Sequence, residues 1–177
     1  MEDSKIRLNG DLFYSKGYIM LPIELSPIAT LNIQNINFFA KKEFHISILA
    51  TKKYIPLLSQ KLKITKEQAL STILSEVDKF VTKVPIKFAA FSDEIRMAKR
   101  EDRSSLIAAV KVSNIELLYD YLRTAFKMSF EAQPTHITLY TLENGLGIGI
   151  NDIDELNRLS ARLNKEESTL IMKAVFD

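Results

Sequence analysis

Two six-residue runs constrain this chain more than any other feature: FHISIL at 44–49 and THITLY at 135–140. In an extended strand, successive side chains point to opposite faces. In the first run Phe44, Ile46 and Ile48 share one face, and His45 and Ser47 the other. In the second, Ile137, Leu139 and Thr141 oppose His136, Thr138 and Tyr140. Each run therefore predicts a strand that buries one side and presents an imidazole and a hydroxyl on the other. His45 and His136 are the only 2 histidines among 177 residues.

Two such faces opposed across a groove suit a phosphodiester. A neutral imidazole takes a proton from the attacking oxygen, and a protonated one gives a proton to the leaving oxygen. Hydroxyls hold the non-bridging oxygens and keep the phosphorus in line. An imidazole pKa of roughly 6.5 fits both roles, and the chemistry requires no metal or cofactor. A strand histidine is more often a hydrogen-bonded structural residue, and a single H-x-[ST] carries almost no information. The doubling carries the argument. Serine and threonine fill roughly one position in seven, so both histidines show the pattern by chance roughly one time in fifty.

Between the runs the chain reads as alternating strands and helices without a linker. GYIMLPI (17–23) predicts a strand. Ser26 and Pro27 predict a helix start, with the helix running to about Asn35. EFHISILAT (43–51) predicts a strand. Thr65 and Gln68 form a capping-box pattern, opening a helix with Ala69, Leu70, Ile73, Leu74, Val77, Phe80 and Val81 on one face. After Pro85, IKFAAFS, EIRMAK and SSLIAAVKV predict strands around the charged tip REDR. Ser113 with Glu116 predicts a second capping box, for the helix IELLYDYLRTAF. Asp152 predicts a helix through about Leu163, and STLIMKAVF a closing strand. A capped helix preceding each H-x-[ST] strand points to two related lobes.

Composition narrows the classes. The longest apolar runs, such as YIMLPI and LIAAV, fall far short of the roughly 18 residues of a membrane span. The N-terminal MEDSKIRLNG is too polar for a signal peptide. There are no cysteines, which excludes disulfides and thiolate zinc sites. The expectation is a cytoplasmic protein without a membrane partner. A net charge of +2 does not by itself imply nucleic-acid binding.

FHISIL and THITLY resemble the paired motifs of the 2H phosphoesterase superfamily. That superfamily includes LigT-like RNA 2′,3′-cyclic phosphodiesterases, 2′-5′ RNA ligases and 2′-5′ oligoadenylate phosphodiesterases. The resemblance implies an α+β bilobal fold with pseudo-twofold symmetry. In it, two antiparallel-rich sheets flank a central cleft, with helices outside, in a single domain over residues 1–177. It implies His45, Ser47, His136 and Thr138 as the catalytic quartet, with His136 as base and His45 as acid. It implies a substrate that is an RNA or nucleotide bearing a 2′,3′-cyclic phosphate or a related phosphodiester, handled by a monomer. Ser47 departs from the threonine usual in LigT-like members. It keeps the hydroxyl but not the stiffening methyl, and some members that trim RNA 3′ ends carry serine there. The alternatives are a 3′-5′ RNA exonuclease, a 2′-5′ phosphodiesterase or ligase, and a non-catalytic RNA-end-binding module.

Further residues are candidate substrate contacts. Tyr140 falls on the face of His136 and Thr138, where an aromatic ring could stack on a base. Arg96, with the basic tip KREDR (99–103), could meet a nucleic-acid backbone. Tyr18, and Tyr14 with it, could form a base platform. Lys41, Lys42, Lys52 and Lys53 bracket the first motif and could steer phosphate. GLGIG (145–149) lacks the spacing and the lysine of a nucleotide loop and reads as turn and strand. NDIDE (151–155) lacks calcium-loop spacing, and helix capping accounts for it.

Overall fold

A computed structural model describes residues 5–142 and 145–176; residues 1–4, which begin the polar N-terminal segment, and 143, 144 and 177 lie outside it. The chain is α+β. The first strands are β1 (Ile6–Arg7), β2 (Phe13–Ser15), β3 (Tyr18–Ile23), β4 (Thr30–Ile33), β5 (Ile36–Ala40) and β6 (Phe44–Leu49). Helices α1 (Thr51–Leu62) and α2 (Lys66–Lys83) follow, then β7 (Lys87–Arg100), β8 (Arg103–Ser113) and α3 (Ile115–Phe126). The chain continues through β9 (His136–Thr141), α4 (Ile153–Leu159), β10 (Ser160–Arg162) and α5 (Lys165–Phe176). Among the described residues, no helix is long and apolar enough to cross a membrane.

The chain divides into two compact units. Among the described residues, the first holds 5–21, 47–88 and 112–133, and the second 22–46, 89–111, 134–142 and 145–176. In unit 1 the strands run in the order β1-β2-β3-β6, accompanied by α1, α2 and α3. Helix α2 starts where Thr65 and Gln68 cap each other, Gln68 N–H donating to Thr65 Oγ1 at 3.2 Å and Thr65 N–H to Gln68 Oε1 at 2.9 Å. Its buried stripe is Ala69, Ile73, Leu74, Val77, Phe80 and Val81; Leu70, expected with them, is only half-buried. Leu118, Tyr119, Leu122 and Phe126 form the buried stripe of α3. Fully burying one such aliphatic side chain contributes about 1.5–3 kcal/mol.

In unit 2 the order is β6-β9-β8-β7-β10, and the β4–β5 hairpin joins β9 through Phe39↔Thr141 and Ala40↔Tyr140. One of the points where the chain passes from unit 2 to unit 1 falls within β6, between Ile46 and Ser47. Ile148 and Ile150 pack with Ala98 and Ile107 in a core cluster, with Leu156 and Leu159 of α4 against it.

Four sequence expectations are corrected. No helix follows Ser26: residues 30–40 form a hairpin that turns through Gln34 and Asn35, at φ 52° and 62°. Ser113 does not cap α3. Its hydroxyl is held by Lys87, accepting from the N–H at 3.1 Å and donating to the carbonyl at 3.2 Å, while Asn114 occupies the cap position in a left-handed conformation. The helix begun by Asp152 ends at Leu159, because Ser160–Arg162 pair with Ala98–Arg96 as a strand. STLIMKAVF lies within helix α5, not a strand. Its start is fixed by Asn164 Oδ1, which accepts from Glu167 N–H at 2.9 Å. The hairpin in place of the first expected helix also removes the repeated order on which the two-lobe argument rested.

Candidate functional site

The two motif strands are neighbours. β6 and β9 pair antiparallel with Ile46 opposite Ile137, and both isoleucines are completely buried. Their side chains fix one face of the pair as core. The adjoining residues of each strand therefore emerge on the other face. An antiparallel register that sets 46 against 137 sets His45 against Thr138. His136, two residues from Thr138, is then the diagonal neighbour of His45, at a backbone separation of roughly 7–8 Å. Imidazoles at that separation can converge on one small anion. His45 and Thr138 are half-buried, and His136 is buried. Ser47, which opens the second stretch of unit 1, follows His45 two residues along β6 and is also half-buried.

The environment of His136 defines its chemistry. Its Nδ1 lies 3.0 Å from the carbonyl oxygen of Pro134. A carbonyl can only accept, so Nδ1 carries the proton and Nε2 of the neutral ring keeps a lone pair. Burial holds the pKa below the ordinary histidine value, against a smaller opposing effect of the Pro134 hydrogen bond. A neutral ring with a fixed tautomer is arranged as a proton acceptor. Across the β8 ladder its partner is Ala109.

Side chains of unit 1 hold the Ser47 end of β6. Gln133 Nε2 donates to the Ser47 carbonyl at 2.7 Å, and the Tyr119 hydroxyl donates to the Ile48 carbonyl at 2.9 Å. The Gln133 segment is held in turn by Tyr54, whose hydroxyl bonds both the carbonyl and the N–H of Glu131, at 3.1 and 3.0 Å. Tyr54 also stacks on Phe130 at 4.2 Å. Gln133 and Tyr119 gave no warning in the sequence. One sits in an irregular segment, and the other resembles any apolar position of an amphipathic helix.

No family model, curated protein or solved structure matches the chain. The site is therefore read from its own geometry.

The expected substrate contacts fare differently from the quartet. Tyr140 is completely buried, and its hydroxyl meets no partner among the described residues. It offers no ring for stacking. The cause is a bulge: Ile107 pairs with Thr138 but Leu106 with Tyr140, so Leu139 is extra and the alternation from His136 and Thr138 does not carry through. Arg96 is also corrected. It lies within β7, away from the tip, and is buried. Its Nε donates to Ser160 Oγ at 2.7 Å, its Nη2 to the Ser160 carbonyl at 3.0 Å, and its Nη1 to Glu94 at 2.5 Å. Those bonds make it a structural cation. Tyr18, on β3 of unit 1, is half-buried with Lys52 Nζ 4.4 Å above its ring, and Tyr14 is half-buried on β2.

Of the lysines around the first motif, Lys41, Lys52 and Lys53 have local partners. Lys53 pairs with Glu131 at 2.7 Å, and Lys41 Nζ donates to the Gly145 carbonyl at 3.0 Å. Lys41 and Lys42 line a hollow of about 430 Å³ in unit 2, with Phe39, Thr141 and Leu142. Residues 145–149 form no strand, contrary to expectation, and Gly147 lies against Thr138.

Proposed function

We propose that the chain is a metal-independent phosphodiesterase of the 2H phosphoesterase kind, acting on RNA ends or small nucleotides. The favoured reaction is hydrolysis of a 2′,3′-cyclic phosphate. The finer fold proposed with it is the bilobal, pseudo-twofold one, in a cytoplasmic monomer. One observation carries the reading: the Ile46–Ile137 register, which brings the motif from each half of the chain onto adjacent strands with its polar residues opposite the core face.

The chemistry follows from the groups present. Nε2 of His136 accepts the proton of the attacking water as its oxygen bonds to phosphorus. His45, entering as imidazolium, protonates the ribose oxygen as its bond to phosphorus breaks. The hydroxyls of Thr138 and Ser47 donate to the non-bridging oxygens, where negative charge is held in the transition state. Each imidazole ends in the state the other began in, and proton exchange with water restores both.

The test is turnover of nucleoside 2′,3′-cyclic phosphates in excess EDTA. His45→Ala and His136→Ala are each expected to lower kcat by about 10²–10⁴-fold, the usual worth of a positioned acid or base. Activity that survives both substitutions overturns the assignment. Ser47, in place of threonine, favours a second reading, exonucleolytic trimming of RNA 3′ ends; oligonucleotides of defined 3′-5′ and 2′-5′ linkage separate it from the cyclic-phosphate reaction. Tight binding of these substrates without turnover from about pH 5 to 9, across the imidazole range, identifies instead a module that binds RNA ends.

A further inference from the structure

Gly147 is a glycine that the fold itself does not require. Gly145 takes φ +68°, a conformation that glycine favours, but Gly147 lies outside the left-handed region. A Cβ built on Gly147 would meet Thr138 Oγ1 at 3.6 Å and Thr138 Cγ2 at 3.7 Å, ordinary van der Waals distances. Alanine would therefore fit both the backbone and the packing.

The segment is also anchored. Ile148 and Ile150 are 2% and 1% exposed within the core cluster that includes Ile107, the cross-strand partner of Thr138. On its other side, Lys41 holds the Gly145 carbonyl. The result is a fixed backbone edge, bare of side chain, beside one of the hydroxyls assigned to the phosphate. Glycine in such a place lets a ligand approach the main chain closely.

We propose that Gly147 is a specificity-determining residue: its bare backbone leaves room for the sugar of a nucleotide whose phosphate is held at Thr138. The inference rests on the phosphodiesterase reading. Once phosphate oxygens occupy the Thr138 hydroxyl, the ester-linked ribose must pass close to it, and a side chain at 147 would compete for that space.

The experiment compares Gly147→Ala and Gly147→Val with the wild-type 177-residue chain by calorimetric titration of two probes, inorganic phosphate and a nucleoside 2′-monophosphate. Both variants should unfold at the wild-type temperature, and alanine serves if valine does not fold. The affinity for inorganic phosphate should change by less than about threefold, while the nucleotide should weaken by about tenfold with alanine and further with valine. Nucleotide binding unchanged in the variants overturns the inference and leaves the phosphodiesterase reading intact. Equal loss of phosphate and nucleotide also overturns it, since the glycine would then serve the phosphate. Wild-type protein that binds neither probe sinks the phosphodiesterase reading, and this inference with it.

Discussion

Replacing Tyr119 by phenylalanine removes one oxygen from the core of unit 1 and leaves the ring in place. Tyr119 is 1% exposed, and burial raises its pKa, so the neutral hydroxyl is the form at work. That hydroxyl donates to the Ile48 carbonyl at 2.9 Å and accepts from Gln133 N–H at 3.4 Å. In the variant, water does not reach the Ile48 carbonyl to replace the lost donor. A buried acceptor left unsatisfied costs about 1–3 kcal/mol. The longer bond lies near the limit of useful geometry and adds little. A loss of about 2 kcal/mol follows, and for a chain of this length each kcal/mol lowers Tm by about 2–4 °C. Thermal unfolding followed by circular dichroism should therefore show a drop of about 4–8 °C, and urea unfolding a lower midpoint with an unchanged slope. A Tm within about 1 °C of wild type would refute the claim that the Tyr119 hydroxyl helps to hold this end of β6.

Other outcomes follow from the same structure. Burial lowers the pKa of His136, so below about pH 6.5 the unfolded chain binds more protons than the folded one. Urea-derived stability should fall as pH drops from about 6.5 toward the folded-state pKa, then level off, and His136→Gln should flatten that decline. Ser160→Ala removes the acceptor of Arg96 Nε and should cost about 1.5–3 kcal/mol by urea unfolding, without changing RNA affinity in filter binding. Thr65→Ala breaks the capping box of α2 and should cost about 1 kcal/mol by thermal unfolding.

Much of α2 was legible because its signals are local: a reciprocal cap and an apolar stripe at helical spacing. The start of α5 carried a signal of the same kind, Asn164 followed three residues later by Glu167, but the β-branched residues after it pointed to a strand. Helix α1 was hidden by Pro56 in its interior and by a start without a side-chain cap; Thr51 instead donates to the Gly17 carbonyl at 2.9 Å. Ser26–Pro27 looked like a helix start, yet pairing of Phe39 and Ala40 with β9 draws the following residues into a hairpin. Tyr140 failed as a stacking residue because a single extra residue, Leu139, shifts the faces of β9.

The sequence by itself determined the two-faced character of the motif strands up to Thr138. Alternation belongs to the extended backbone and needs no partner, so His45 with Ser47, and His136 with Thr138, were bound to lie opposite their isoleucines. Only the tertiary structure decided that Ile46 meets Ile137, that Arg96 and Tyr140 are buried, and that Gly147 borders Thr138. These contacts join residues far apart in the chain. They are selected by the burial of many side chains at once, which no short window of residues encodes.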